Sequence, residues 1–307
     1  MRIVFAGTPE VAVPSLEALV GAGHEVLAVV TREDAPVGRK RVLTASPVAR
    51  AAERLGLPTI KANRLDDAVT AQIESLAPEL GVVVAYGGLI REPLLSLPRL
   101  GWINLHFSEL PRWRGAAPVQ RALMAGETRL GLAVFRLVAA LDAGAVLTED
   151  ALEVTPGTSA DDALSALALS GTAALLDAVA GLGDGSLTAR EQLGEASYAH
   201  KLEREDGRLD PRQPAAAVLA HWAGVTSEPG AFLDVEGQSV KVPELRAVAL
   251  PEGEAVPTPG VARLLGATVL LGTGDGVLEL VRVQPAGKAA MNAADWVRSR
   301  GGEVRFA

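Results

Sequence analysis

Short, uninterrupted runs of Val, Ile and Leu alternate with helical patterns through the first half of the chain, and no other feature restricts the fold as much. RIVFA (2–6), EVLAVVT (25–31), LGVVVAY (80–86) and GWINLH (101–106) read as strands, with a helix over 11–21 after the first. A strand with one wet face alternates apolar and polar residues, whereas a parallel strand covered by helices on both faces is apolar throughout. The pattern predicts a doubly wound α/β domain around a mostly parallel sheet. Such sheets bind ligands beyond the carboxyl ends of their strands, where residues 7–9, 86–88 and 106–111 fall.

Two more strand-like runs, 132–137 and 145–154, lead to an Ala/Leu helix over 159–179 that the glycines of 181–185 are expected to end. Residues 187–214 are polar and turn-rich, as a connector would be. Beyond them lie a helix near 215–223 and five short runs, at 231–235, 239–248, 260–264, 268–271 and 276–283. Gly and Pro punctuate these runs, which predicts a small β-barrel or sandwich. At 307 residues the chain exceeds what one core usually serves. The expected organisation is a first domain over 1–186, a linker over 187–209 and a second domain over 210–307.

Zero cysteines excludes disulfides, thiolate metal sites and a Cys nucleophile. The four histidines, His24, His106, His200 and His221, have no metal-ligand spacing, so metal-free chemistry is expected. No apolar run reaches the ~18 residues of a membrane span, and the N-terminus has no signal-peptide pattern. A cytoplasmic protein with no membrane partner is expected. The formal net charge of −8 argues against bulk coating of nucleic acid but not against a local basic patch. One candidate is Gly38-Arg39-Lys40-Arg41, in a loop over 32–46 on the carboxyl side of the sheet. It is either a solvated surface loop or a grip on a phosphodiester backbone.

Asn104 and His106 are two apart on one strand and therefore share a face. A lone histidine there would most simply satisfy a loop carbonyl, and Asp142 in Leu-Asp-Ala-Gly (141–144) reads by itself as a turn. Together they form an acid/base and oxyanion constellation. Amide and imidazolium N–H groups donate to a developing oxyanion, while a carboxylate raises the imidazole pKa and orients the ring. No side-chain nucleophile accompanies them, so a substrate must supply the attacking group. Transfer of an acyl-type carbon between two bound substrates fits. Gly7 does not begin a dinucleotide fingerprint, because Thr8-Pro9-Glu10 replaces the later glycines; a turn and helix cap is expected. Arg112-Trp113-Arg114-Gly115 either clamps a planar or anionic ligand or packs with structural ion pairs.

The chain resembles the methionyl-tRNA formyltransferases in FAGTPEVAVPSLEAL, SPVARAAERLGLP, VVVAYG, GWINLHFSELPRWRGAAPVQRALMAGE, LDAG, YAHKLEREDGRLD and QPAGKAAM, nearly end to end. The resemblance implies a Rossmann-like formyltransferase domain followed by an OB-like β-barrel that binds tRNA. It implies 10-formyltetrahydrofolate as co-substrate, no metal, and methionyl-initiator tRNA as acceptor for translation initiation. By the same resemblance Asn104, His106 and Asp142 are catalytic. Folate lies along Val84, Tyr86 and Gly87 and along Ser108, Glu109, Leu110 and Pro111, largely on backbone. Arg39, Lys40 and Arg41 meet the tRNA acceptor stem, and the protein acts as a monomer. Three places depart from the family pattern: Glu109 stands for Leu, Phe107 stands where Gly or Pro is usual, and residues 226–230 replace an Asn-Pro-Trp-Pro-like turn. The alternatives are a folate-dependent formyltransferase acting on an amino-sugar nucleotide and a non-catalytic RNA-binding relative.

Overall fold

The computed structural model describes residues 1–38 and 40–307. β1 (Arg2–Gly7) is followed by a 3-10 turn over Glu10–Ala12, α1 (Val13–Gly21) and β2 (Glu25–Thr31). The cap position of that turn is Pro9, without a side-chain cap, so Glu10 lies in the first turn rather than capping it. The segment expected to be a loop is an antiparallel hairpin, β3 (Ala35–Val37) and β4 (Val42–Thr44), with Val37 opposite Val42. Lys40 and Arg41 are exposed at its turn, and Arg39 lies outside the described residues. Next come α2 (Pro47–Arg54), β5 (Thr59–Lys61), α3 (Asp67–Ser75), β6 (Leu80–Val84) and β7 (Trp102–His106). Ser46 and Asp66 cap α2 and α3 by accepting from the N–H groups of Ala49 and Val69, each at 3.0 Å.

Strands β1, β2, β5, β6 and β7 run parallel in the order β7-β6-β1-β2-β5. The chain builds outward from β1 to β5 and then returns to β6, so the winding reverses between β1 and β6. The crevice beyond their carboxyl ends is where open α/β sheets bind ligands. Every residue of β6 is buried, which is why it reads as a continuous apolar run. Gly81 within it is required by packing, because a Cβ there would sit 2.1 Å from the Trp102 indole.

Past β7 come β8 (Arg114–Gly115), α4 (Pro118–Met124), β9 (Arg129–Arg136) and β10 (Val146–Glu153). β9 is antiparallel to β7, with Asn104 opposite Phe135 and His106 opposite Ala133, and β10 lies outside it. α5 (Ala160–Asp184) runs through Gly181, one of the glycines expected to stop it. A Cβ on Gly181 would come within 2.6 Å of the Leu187 side chain, so this glycine makes room for the returning chain, and the left-handed Gly185 (φ +75) follows the helix end. β11 (Tyr198–Ala199) then pairs in parallel with β8.

The C-terminal part contains α6 (Ala215–Val225), β12 (Phe232–Val235), β13 (Gln238–Ala247), β14 (Val261–Leu265), β15 (Thr268–Gly272) and β16 (Val277–Pro285). All five strand runs expected there are present. β17 (Met291–Asn292), α7 (Ala293–Arg298) and β18 (Glu303–Arg305), which the sequence pattern does not announce, complete it. The strands form an antiparallel sheet in the order β12-β13-β16-β15-β14-β18, with β17 on β16. Ala307 N–H donates to the carbonyl of Asp234 at 2.8 Å, so the two ends of that order meet, as in a barrel. Trp222, Leu233, Val242, Leu280 and Trp296 fill its core.

The chain forms two compact units. One comprises Met1–Ala116, Leu130–Leu152 and Leu164–Ala199; the other comprises Ala117–Arg129, Glu153–Ala163 and His200–Ala307. Every residue of the site described next belongs to the first.

Candidate active site

β7 ends at the carboxyl edge of the sheet with Asn104 and His106 on one face; Leu105, on the other face, packs toward Gly171 of α5. The His106 ring is 6 % exposed and stands edge-on to Phe135, centroids 6.2 Å apart. Its Nε2 lies 3.0 Å from the carbonyl oxygen of Trp113. A carbonyl only accepts, so Nε2 carries the proton and the neutral ring keeps its lone pair on Nδ1. That atom faces Asp142 Oδ2 at 4.0 Å, an ion-pair distance too long for a hydrogen bond. Burial pushes the His106 pKa below its ordinary 6.5, against the opposing pull of the Asp142 carboxylate and the Trp113 carbonyl. The carboxylate thus raises the imidazole pKa as expected, but desolvation wins, and His106 is neutral at pH 7.

Asp142 occupies the turn after β9 with φ +45, a conformation uncommon outside glycine. Its Oδ2 accepts the N–H of Gly115 at 2.8 Å. The next glycine of the turn, Gly144, is needed because a Cβ there would fall 1.7 Å from the carbonyl oxygen of Arg136. Asn104 contributes an amide whose Oδ1 is buried without a hydrogen-bond partner among the described residues. Buried polar atoms are nearly always paired, so this amide has capacity left for a ligand. A half-turn of its amide group exchanges oxygen for the Nδ2 donor.

The segment after His106 is held as a tight turn. Ser108 Oγ donates to the carbonyl of Arg112 at 2.6 Å, and the Arg112 N–H donates to the carbonyl of Glu109 at 3.1 Å. Ser108, Leu110 and Pro111 are buried, and Phe107 is buried with them. Glu109 runs beside β9 at Gly131, where a Cβ would meet its Cγ at 2.1 Å and its backbone nitrogen at 2.7 Å. That glycine makes room for the Glu109 backbone and the Cβ–Cγ stem of its side chain.

Residues 84–88 leave the neighbouring strand β6 at the same edge. Val84 and the Tyr86 ring are buried, and the Tyr86 hydroxyl donates to the carbonyl of Ala62 at 2.7 Å. Burial also raises the pKa of that hydroxyl, with the Arg32 charge opposing. Tyr86 therefore offers a ligand its backbone and not its ring. Thr8 Oγ1 donates to the Tyr86 carbonyl at 2.9 Å, and the Arg32 guanidinium donates to the carbonyl of Gly87. These two links fasten the ends of β1, β2 and β6 together, a role hidden in the sequence because Thr8 reads only as part of a turn.

Of the two readings of residues 112–115, packing prevails for Arg114. Its Nε and Nη2 donate to Gln192 Oε1 at 3.2 and 2.6 Å. Trp113 N–H donates to Ser197 Oγ at 2.9 Å, and Ala116 N–H donates to the carbonyl of Ala199 at 2.9 Å. The segment read as a connector thus braces the loop over 113–116. Neither Gln192 nor Ser197 stands out in the sequence, since they act on distant residues, largely on main-chain atoms. Among the described residues no group of three or more His, Cys, Asp or Glu could hold one metal ion.

A buried His-carboxylate pair beside an amide oxygen left unpaired, at the carboxyl edge of a doubly wound sheet, is the site of a group-transfer enzyme. Residues 1–179 match the "Formyl transferase" family model and residues 201–301 match "Formyl transferase, C-terminal domain". The methionyl-tRNA formyltransferase of Leifsonia xyli subsp. xyli is 55% identical over 304 residues, covering 99% of each chain, and that of Clavibacter michiganensis subsp. michiganensis is 54% identical, covering 97% of each. The crystal structure of HypX from Aquifex aeolicus in complex with tetrahydrofolic acid superposes with a TM-score of 0.66 at 20% identity. It covers 97% of this chain, which spans about half the length of that protein, 47%. This chain belongs to the methionyl-tRNA formyltransferase family. Relatives at such identity do not favour the amino-sugar alternative.

Proposed function

We propose that the chain carries out the family's reaction, moving the formyl group of 10-formyltetrahydrofolate to the α-amine of methionyl-initiator tRNA, at Asn104, His106 and Asp142. The observation that carries this reading is the buried, neutral His106, whose Nε2–H is occupied by Trp113 while its Nδ1 faces Asp142 at 4.0 Å. As the amine attacks, Nδ1 takes the proton it loses. The resulting imidazolium has N–H groups toward both Trp113 and Asp142, and the Asp142 charge stabilises it in a low-dielectric surrounding. The proton then passes to the departing folate nitrogen. Asn104 rotates its amide to donate to the oxygen on which negative charge develops. His106 has no second N–H to offer that oxygen until it has taken the proton, so Asn104 acts on it first.

The folate donor fits the backbone of 84–87 and 108–111, and the unpaired Oδ1 of Asn104 supports a polar ligand there. The hairpin turn bearing Lys40 and Arg41, with Arg39 between Gly38 and Lys40 in sequence, meets the phosphates of the acceptor stem. A monomer in the cytoplasm, where initiator tRNA is charged, suffices for this reaction. The test is formylation of methionyl-initiator tRNA by Asn104→Ala, His106→Asn and Asp142→Asn. Each is expected to lower kcat by about 10²- to 10⁴-fold. Full activity in Asp142→Asn, or formylation of an amino sugar in place of charged tRNA, overturns the reading.

A further inference from the structure

We propose that Gln192 is a positioning residue that fixes the Asp142 carboxylate against His106. This rests on the catalytic assignment above and adds to it a residue outside both motifs. The Gln192 amide uses both ends. Nε2 donates to the carbonyls of Asp142 and Gly144, each at 2.8 Å, and Oε1 accepts two N–H groups of Arg114. It therefore ties the turn that carries Asp142 to the strand β8, in which Gly115 N–H holds Asp142 Oδ2 and next to which the Trp113 carbonyl holds His106 Nε2. One side chain thus links the backbone of the Asp142 turn to the Arg114 guanidinium that β8 carries, across the gap that holds Nδ1 and the carboxylate 4.0 Å apart.

The turn needs such a tie. Asp142 is held at φ +45, a left-handed conformation that Asp adopts more readily than most residues but that still costs free energy, and its carboxylate and main-chain carbonyl anchor it in the hydrogen bonds described. Without the Gln192 amide, two carbonyls are released that can turn to water, because Gln192 is half-buried; the fold survives while the turn gains freedom. Misplacement of a catalytic group by an ångström is enough to lower a rate by about a hundredfold.

The experiment compares Gln192→Met, which preserves volume, and Gln192→Glu, which keeps the acceptor for Arg114 but turns a carboxylate oxygen toward two carbonyls. Each is made alone and in the Asp142→Asn background, and kcat and both KM values are measured for formylation of methionyl-initiator tRNA. Both single variants are expected to lose about 10- to 100-fold in kcat, with the folate KM nearly unchanged. In Gln192→Met, which adds no charge, the ascending limb of the kcat–pH profile is expected to move to lower pH, because the carboxylate no longer supports the imidazolium. In the Asp142→Asn background the further loss should vanish, since the residue acts through that carboxylate. An unchanged kcat, recovery of activity in Gln192→Glu, or a loss of equal size in the Asp142→Asn background overturns the proposal. Wild-type activity in Asp142→Asn alone overturns the catalytic assignment itself and is read separately.

Discussion

His106 is buried, neutral and held at one nitrogen, and those three facts have a thermodynamic consequence besides the catalytic one. Its pKa in the folded protein is below the ordinary 6.5, chiefly through desolvation. As pH falls through about 6.5 the unfolded chain takes up a proton that the folded chain refuses, so the unfolded state binds more protons and stability declines. The decline continues down to the folded pKa and stops there, where both states are protonated. Denaturant unfolding of wild type and His106→Asn between pH 8 and about 5 should isolate this contribution. Other titrating groups cancel in the difference. The two stability curves should run parallel above about pH 6.5 and diverge below it, with the wild type losing more; parallel curves throughout would mean that desolvation does not outweigh the pull of Asp142 and Trp113. The residue types of the site were legible in the chain, since an i, i+2 pair at a strand end and a carboxylate in a turn can be found by spacing. The balance between desolvation and the carboxylate could not be read, because it depends on the burial that Phe135 and the loop above it supply.

At the level of elements, the turn over residues 108–111 depends on a glycine from another strand. Gly131 in β9 leaves the space into which Glu109 fits, and a methyl group there would lie 2.7 Å from the Glu109 nitrogen and 2.1 Å from its Cγ. Gly131→Ala should therefore displace the turn from β9, with a stability loss of about 1–3 kcal/mol. It should also raise the KM for 10-formyltetrahydrofolate by about tenfold, equivalent to ~1.4 kcal/mol of binding, while the KM for charged tRNA moves less. An unmoved folate KM in a folded variant would place the donor away from this turn. The strands β1, β2 and β6 were recognisable because burial on both faces leaves an apolar run, and β7 because its apolar residues run up to the Asn104 and His106 pair. That signal says nothing of direction, so the antiparallel β9 looked like any other strand. The β3–β4 hairpin was hidden for the opposite reason: three residues a side, Pro36 within one of them and solvent on its faces leave no periodicity to read. α7 was missed because six residues make fewer than two turns, although Asn292 caps it by accepting from Ala294 N–H at 2.8 Å.

The whole molecule carries a formal charge of −8, which sets the terms on which it can meet a polyanion. Long-range attraction to tRNA is absent on average and is opposed by the net field, so productive encounter has to rest on local cations that reach the phosphates within about one Debye length, ~8–10 Å at physiological salt. The hairpin is suited to this: it projects two exposed cations, Lys40 and Arg41, from the carboxyl edge of the sheet that also bears His106, and Arg39 adds a third in the sequence. Removing one cation from its phosphate should flatten the dependence of log(kcat/KM) on log salt by about 0.7–0.9. Replacing Arg39, Lys40 and Arg41 together with Ala should therefore reduce the slope by about 2–3 and depress kcat/KM for tRNA most strongly at low salt. The folate KM and the pH profile should stay as they are, since the folate and proton-transfer positions proposed above lie around β6 and β7. A parallel salt line with unchanged tRNA kinetics would move recognition to the C-terminal unit, where arginines such as Arg204 and Arg208 lie against the Phe232 ring. The net negative charge makes this comparison sharp, because no diffuse positive field remains to mask the removal of three charges.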